Sequence, residues 1–441
     1  MKLRTIIALT LLAVILGACA ESVPPTGVDG PVVVIGIDGA EWSIIEPLLE
    51  AGDLPNISGL IERGAAGRLG SLDPRRKSPV IWTTIATGLD PDEHGVGGFV
   101  INGNPHGRDS YAHYSSNMWK APAFWDILGN RGKTVGVIGW LVTWPAWPVN
   151  GYMVSQHVQY YDRFLQSERG KGISWPDGLD DAIAPHVTSE QALAPEQLGR
   201  FTRGGVDGLS VLTEHYEDGL RRALAGDEST YAVARFLLSD DVPDVACVYT
   251  RGVDEVCHMF WIHAYDETRP PIDQSKPGTV ALAGQAGELA GLIDEYYRYT
   301  DSEVGKLLEL LPPNSTVVVC SDHGFRGPGT WGEHAPWYGE DQHALNGVLI
   351  VSGPGVKRGF TIENASVFDV APTILAMAAA PVADDMPGRV LSEIFTEEFA
   401  AANPVATIES YGRTERTDAA PIESPVDDEV LERLRSLGYI E

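Results

Sequence analysis

Pro31-Val32-Val33-Val34-Ile35-Gly36-Ile37-Asp38 is an unbroken apolar run that ends in a carboxylate followed by Gly39. A strand exposed on one face alternates apolar and polar residues. A run without alternation therefore predicts a strand buried on both faces, as in a parallel sheet covered by helices on each side. The same signature recurs at residues 133–139, 244–250, 315–321 and 347–352, and stretches of helical character fall at 41–50, 57–63, 280–311 and 367–377. Strands alternating with helices predict an α/β fold with a mainly parallel central sheet. Ligands of such sheets collect beyond the carboxyl ends of the strands, which is where Asp38 falls. A turn or cap role for Asp-Gly is the plain alternative.

Outward from that core, the chain begins with Lys2 and Arg4, an apolar run over residues 5–15, and Leu16-Gly17-Ala18-Cys19. Residues 1–18 read as a secretory signal, too short for a membrane span. Cysteine directly after Leu-Gly-Ala is similar to the bacterial lipobox, which implies cleavage before Cys19, lipidation of Cys19 and a protein held on the cell envelope through that lipid. Residues 19–30 form a tether, residues 31–398 one large domain with a largely helical insert at about 156–241, and residues 399–441 a polar tail expected over the surface or mobile. Within the insert, helical periodicity falls around 209–224 and 231–238, and a second inserted stretch lies at 268–278.

The formal net charge of −29 excludes electrostatic binding of a nucleic acid polymer, but not of a small phosphate ester held by metal. Cys247, Cys257 and Cys320 lack zinc-finger spacing, and Cys247 and Cys320 sit inside apolar runs as small core residues. Trp140, Trp144 and Trp147 either wall a cleft or pack beneath a long loop.

Lys77-Ser78-Pro79-Val80-Ile81-Trp82-Thr83-Thr84-Ile85-Ala86-Thr87-Gly88 places a hydroxyl at a helix start, with proline suited to the first turn. Helix starts offer N–H groups to phosphate or sulfate oxygens, so Ser78 is the candidate nucleophile; an ordinary N-cap serine is the alternative. A seryl hydroxyl needs an activator at neutral pH. Asp38, Asp254, His258, Asp322, His323 and His343 all fall at strand ends or in the loops beside them, and carboxylates with imidazoles suit zinc. Two divalent ions bring four charges, three carboxylates cancel three and a seryl alkoxide the fourth, leaving a site that does not repel an anion. His94 has no paired ligand at metal spacing and reads as a structural residue or a support to the site.

Ile37-Asp38-Gly39, Ser78 with Thr87-Gly88, Asp254 with His258, Ser321-Asp322-His323-Gly324, and His343 ahead of Gly353-Pro354-Gly355 together resemble the alkaline phosphatase superfamily, and most of all its type I phosphodiesterase/nucleotide pyrophosphatase branch. Val367-Phe368-Asp369-Val370-Ala371-Pro372-Thr373-Ile374-Leu375 is similar to the superfamily's closing helix. The resemblance runs from about residue 31 to 396, excluding much of the insert. It implies an alkaline-phosphatase-like catalytic domain and a zinc-dependent hydrolase of phosphate esters, with diesters as the expected substrates and a covalent seryl-phosphate intermediate. It implies one zinc ion on Asp38, Ser78, Asp322 and His323 and a second on Asp254, His258 and His343, with His334 a rival for the last place.

The branch usually carries a threonine nucleophile and a nearby asparagine; here Ser78 stands with Ile81 or Trp82, which leaves the oxyanion donor unassigned. Lys77 and Arg251 are candidates for that contact, or surface charges. The sulfatase signature needs proline and arginine where Val80 and Trp82 stand, so formylglycine at position 78 is not expected. Sulfatase-like or phosphomonoesterase activity, and a non-catalytic, metal-stabilised, anion-binding lipoprotein, are the alternative functions.

Overall fold

The computed structural model describes residues 27–102, 111–161, 164, 172–265, 289, 291–325, 343–414, 416 and 420–439. Cys19, the stretch at 268–278 and His334 lie outside the described residues. Among the described residues, nine strands form the main sheet: β1 Val32–Ile37, β2 Ala65–Gly70, β3 Val135–Ile138, β4 Gly151–Val154, β5 Ser174–Trp175, β6 Val245–Thr250, β7 Thr316–Cys320, β8 Asn346–Ser352 and β9 Phe360–Ser366. Their spatial order is β9-β2-β8-β7-β1-β6-β3-β4-β5. β1 lies between β6 and β7, parallel to both. β3 continues the parallel set between β6 and β4, and β9 is parallel to β2. Only β8 and β5 run against their neighbours.

Helices α1 Trp42–Ala51, α2 Pro55–Arg63, α3 Ser78–Thr87, α4 Phe124–Asn130, α5 Glu214–Asp240, α6 Gly252–Tyr265, α7 Leu292–Leu308, α8 Val370–Met377 and α9 Asp427–Ser436 surround the sheet. β1 explains the layering. Val33, Ile35 and Ile37 point into a core shared with α1, α2, α5, α6 and α7. Val32 and Val34 point into a second core with α3, α4 and α8. Each of these side chains contributes about 1.5–3 kcal/mol by leaving water, which is why the run carries no polar residue. Gly36 is the exception in size: a Cβ there would stand 2.8 Å from the Trp82 ring, so its absence lets α3 lie directly on the strand.

One element was not foreseen and one expectation changes. Residues 65–70, rich in small side chains, form β2, paired on both sides. A Cβ at Gly67 would meet Ile362 O at 2.1 Å, so the small residues serve close packing rather than chain reversal. The two helical pieces expected in the polar insert are one helix, α5, running through Gly226-Asp227. Gly226 lies within the continuous helix, and the space a Cβ would need there is taken by Gln159 Oε1 at 2.3 Å, so the residue serves close approach rather than a chain break. Cys247 and Cys320 are buried in the sheet, and Trp140, Trp144 and Trp147 are buried as packing residues, with Trp140 edge-on to Trp82 at 5.1 Å.

Candidate metal centre and nucleophile

One edge of the sheet collects the expected residues. Asp38 follows β1, and its N–H donates to Thr250 O at the end of β6 (3.0 Å). Asp254 and His258 stand one turn apart on α6, which starts directly beyond β6. Asp322 and His323 follow β7. His343 precedes β8; because β8 is antiparallel to β7, its start lies at the edge where β7 ends. β2 runs with β7, so the chain leaves it at the same edge and enters α3 at Ser78. The shared carboxyl edge of the sheet is what brings these groups together.

Ser78 is the first residue of α3 and is 1% exposed. Its Oγ lies 3.4 Å from Asp38 Oδ1 and 3.3 Å from His323 Nε2. His323 Nδ1 lies 3.1 Å from Gly324 O, to which it donates, so Nε2 is left to face Ser78. That Nε2 is 3.4 Å from Asp38 Oδ1, 3.5 Å from Asp322 Oδ2 and 3.8 Å from Asp254 Oδ1, so His323 borders both expected ligand groups. In the second group Asp254 Oδ1 is 3.2 Å from His258 Nε2 and 3.9 Å from His343 Nε2. Asp38, Asp322 and His323 form one set of donor atoms close enough to share an ion, and Asp254, His323 and His343 form another.

These residues fit a cation. Asp254 Oδ1 and Asp322 Oδ2 are buried carboxylate oxygens with no hydrogen-bond partner among the described residues, and so is the His343 Nδ1 nitrogen. Burial and the charge of Asp38 push Asp322 well above the usual carboxylate range. Burial also opposes ionisation of Asp38, but the hydrogen bond and charge of His323 outweigh it and hold that carboxyl below its ordinary value. Burial, with His323 and His258 alongside, drives His343 well below its usual value, so its imidazole is neutral, the form that binds metal. Buried carboxylates crowded together beside the neutral His343 imidazole are short of positive charge, and a divalent ion supplies it.

Supports that were not foreseen hold this set in place. Trp82 Nε1 donates to Asp38 Oδ2 at 3.2 Å and the Tyr249 hydroxyl donates to the same oxygen, turning Oδ1 toward Ser78. Asp227 on α5 receives the Arg251 N–H (3.2 Å) and the Gly252 N–H (3.0 Å) at the start of α6, and the Tyr296 hydroxyl at 3.1 Å. It thereby satisfies two of the donors that a helix start leaves open, on the helix that carries Asp254 and His258. No local signal singled it out, because the same helix also carries Glu214, Glu217, Asp218 and Glu228. Gly39, at φ +69°, lets the chain turn where a Cβ would stand 2.8 Å from the Phe325 ring and 3.0 Å from Asp254 Cα.

His94 is a structural residue. Its Nδ1 accepts from Val96 N–H at 3.2 Å, so Nε2 carries the proton and donates to Thr84 Oγ1 at 3.1 Å, while burial pushes its pKa down to about 3. Neither candidate oxyanion donor is a surface charge: Arg251 is buried against Glu255 (2.8 Å), and Lys77 Nζ donates to Tyr439 O at 2.8 Å. The tail does not simply lie over the surface, because Tyr439 is 5% exposed and its hydroxyl is within 3.0 Å of both His258 and His343.

The molecule is thus an α/β protein with a buried carboxylate–imidazole cluster around a serine at a helix start. The sequence profile of the type I phosphodiesterase / nucleotide pyrophosphatase family matches residues 32–337, more than half of the chain, and the chain belongs to that family.

Among curated proteins it is 25% identical over 221 residues to the 2,3-bisphosphoglycerate-independent phosphoglycerate mutase of Rippkaea orientalis, covering 46% of this chain and 38% of that protein. It is 30% identical over 109 residues to arylsulfatase K of Canis lupus familiaris, covering 23% and 19%. The chain therefore spans well under half the length of these relatives. Among solved structures, human ectonucleotide pyrophosphatase / phosphodiesterase 5 aligns with 83% of this chain and 100% of its own at 11% identity and a TM-score of 0.47. Phosphonoacetate hydrolase from Sinorhizobium meliloti, in complex with phosphonoformate, aligns with 69% of this chain and 60% of its own at 18% identity and a TM-score of 0.41.

Proposed function

We propose that this protein is a zinc-dependent hydrolase of phosphate esters, with diesters as substrates, working through a covalent phosphate ester on Ser78. The observation that carries the reading is the Ser78 hydroxyl, 3.4 Å from Asp38 Oδ1 and 3.3 Å from His323 Nε2, among buried carboxylate oxygens that have no hydrogen-bond donor among the described residues. Asp38, Asp322 and His323 would hold one zinc ion together with Ser78, and Asp254, His258 and His343 the other. Two such ions supply Lewis acidity, lowering the pKa of a hydroxyl and stabilising the entering and leaving oxygens of an in-line displacement.

Ser78 Oγ gives up its proton to solvent and attacks phosphorus, and the bond from phosphorus to the leaving alcohol's oxygen breaks. That alcohol departs with a proton taken from water. A water oxygen then replaces Ser78 Oγ on phosphorus, and the serine regains its proton. Trp82 and Tyr249 keep Asp38 aimed at the reacting hydroxyl, and Asp227 keeps α6 seated so that Asp254 and His258 stay opposite it.

Ser78→Ala should abolish hydrolysis of an aryl phosphodiester while zinc content falls only partly, since the other donors remain. Wild-type turnover in that variant would remove Ser78 from the chemistry. Running the assay on phosphomonoesters, phosphonates and sulfate esters separates the neighbouring substrate classes, and binding without turnover of any would point to an anion-binding protein. We also place the protein on the bacterial cell envelope through lipid on Cys19, from the Leu-Gly-Ala-Cys sequence. Labelled fatty acid should enter the wild-type protein and not Cys19→Ser; equal labelling would sink that assignment.

A further inference from the structure

Tyr439 reaches the site from the other end of the chain, 181 residues beyond His258. Its hydroxyl is 2.7 Å from His258 Nε2 and 3.0 Å from His343 Nε2, and those two nitrogens are 3.1 Å apart. Asp254 Oδ1 completes the group at 3.2 Å and 3.9 Å from the same nitrogens. Four donors arranged tetrahedrally about 2.1 Å from one zinc ion stand about 3.4 Å from each other. The spacings here bracket that value. A phenol can donate to one imidazole nitrogen and accept from the other, whereas one cation takes a lone pair from the phenol oxygen and both nitrogens at once.

The segment bearing Tyr439 is fastened to the immediate neighbours of the site. Lys77, next to Ser78, donates to Tyr439 O at 2.8 Å, and Arg433 pairs with Glu255, next to Asp254, at 2.6 Å. The Phe99 ring packs on the Tyr439 ring at 4.9 Å, and Leu434 and Leu437 are buried. Beneath α9 lies a cavity of about 50 Å³ lined by, among others, Pro79, Phe99, Arg251, Arg433 and Leu434. Arg251, a guanidinium-bearing residue beside the start of the nucleophile helix, suits an anionic ester, and α9, fastened over it through Arg433, covers it.

We propose that Tyr439 is a fourth protein donor to the cation held by Asp254, His258 and His343, and that the C-terminal segment is a self-ligated cover which the substrate's phosphoryl oxygen must displace. The inference rests on the dizinc reading above, and its test separates the two. Zinc affinity is measured by competition with a chromogenic chelator, alongside the ultraviolet difference spectrum on zinc addition, for the full chain and for Tyr439→Phe. The variant should still take up two zinc ions, hold one of them about tenfold more weakly, and lose the phenolate difference band. Its KM for an aryl phosphodiester should fall, as should that of Arg433→Ala, which loosens the cover without touching the donors.

Equal zinc affinity and equal spectra in wild type and Tyr439→Phe would refute the donor role. An unchanged KM in both variants would refute the cover. A wild-type chain that binds no zinc would instead overturn the dizinc reading on which the proposal stands.

Discussion

Replacing Asp227 by asparagine should flatten the pH dependence of folding stability. Asp227 is fully enclosed, and burial, with the charge of Glu255, pushes its pKa up to about 7 from an ordinary 3.8. Because the folded state then binds the proton more tightly than the unfolded chain, Asp227 adds stability at low pH. That contribution is lost as pH rises through about 7. At about 1.4 kcal/mol per pKa unit the full effect is about 4 kcal/mol, and roughly two thirds of it falls between pH 5 and pH 8. Urea unfolding of wild type and Asp227→Asn at pH 5, 6, 7 and 8 gives the difference curve directly. Unfolding both proteins in the presence of a chelator keeps zinc release out of the comparison, and titrations remote from Asp227 cancel. Wild type should lose about 3 kcal/mol relative to the variant across that range; parallel curves would show that Asp227 is not held protonated, and the account of its burial would fail. Since the same carboxyl receives the first N–H groups of α6, any loss of that seat should also weaken zinc binding by Asp254 and His258.

Tyr249→Phe and Trp82→Phe each remove one of the two donors that fix Asp38 Oδ2, and each should weaken zinc binding about 10- to 100-fold. Chelator competition at fixed pH measures it, and unchanged affinity in both variants would mean that Asp38 needs no such support. Dialysis against a chelator should abolish hydrolysis and zinc should restore it. Restoration by magnesium alone would argue for an all-oxygen octahedral site in place of one with imidazoles.

The apolar runs identified β1, β3, β6, β7 and β8, and these are the five adjacent strands at the centre of the sheet. They were legible because a strand covered on both faces must be apolar at every position, a demand written into consecutive residues. The flanking β2, β4, β5 and β9 were not, because their side chains are small or half exposed and the local pattern is that of loops. Likewise Asp38, Asp322 and His323 could be read from the sequence, since each directly follows a central strand.

The supports and the cover could not. Asp227 lies 25 residues from the Gly252 it seats, Tyr249 lies 211 from Asp38 and Tyr439 lies 96 from His343. Local periodicity specifies which segments become strands and helices, and so which end of the sheet gathers carboxylates and imidazoles. Which hydroxyl meets which nitrogen is decided when distant segments pack together, because a hydrogen bond between them depends on positions no single stretch of chain encodes.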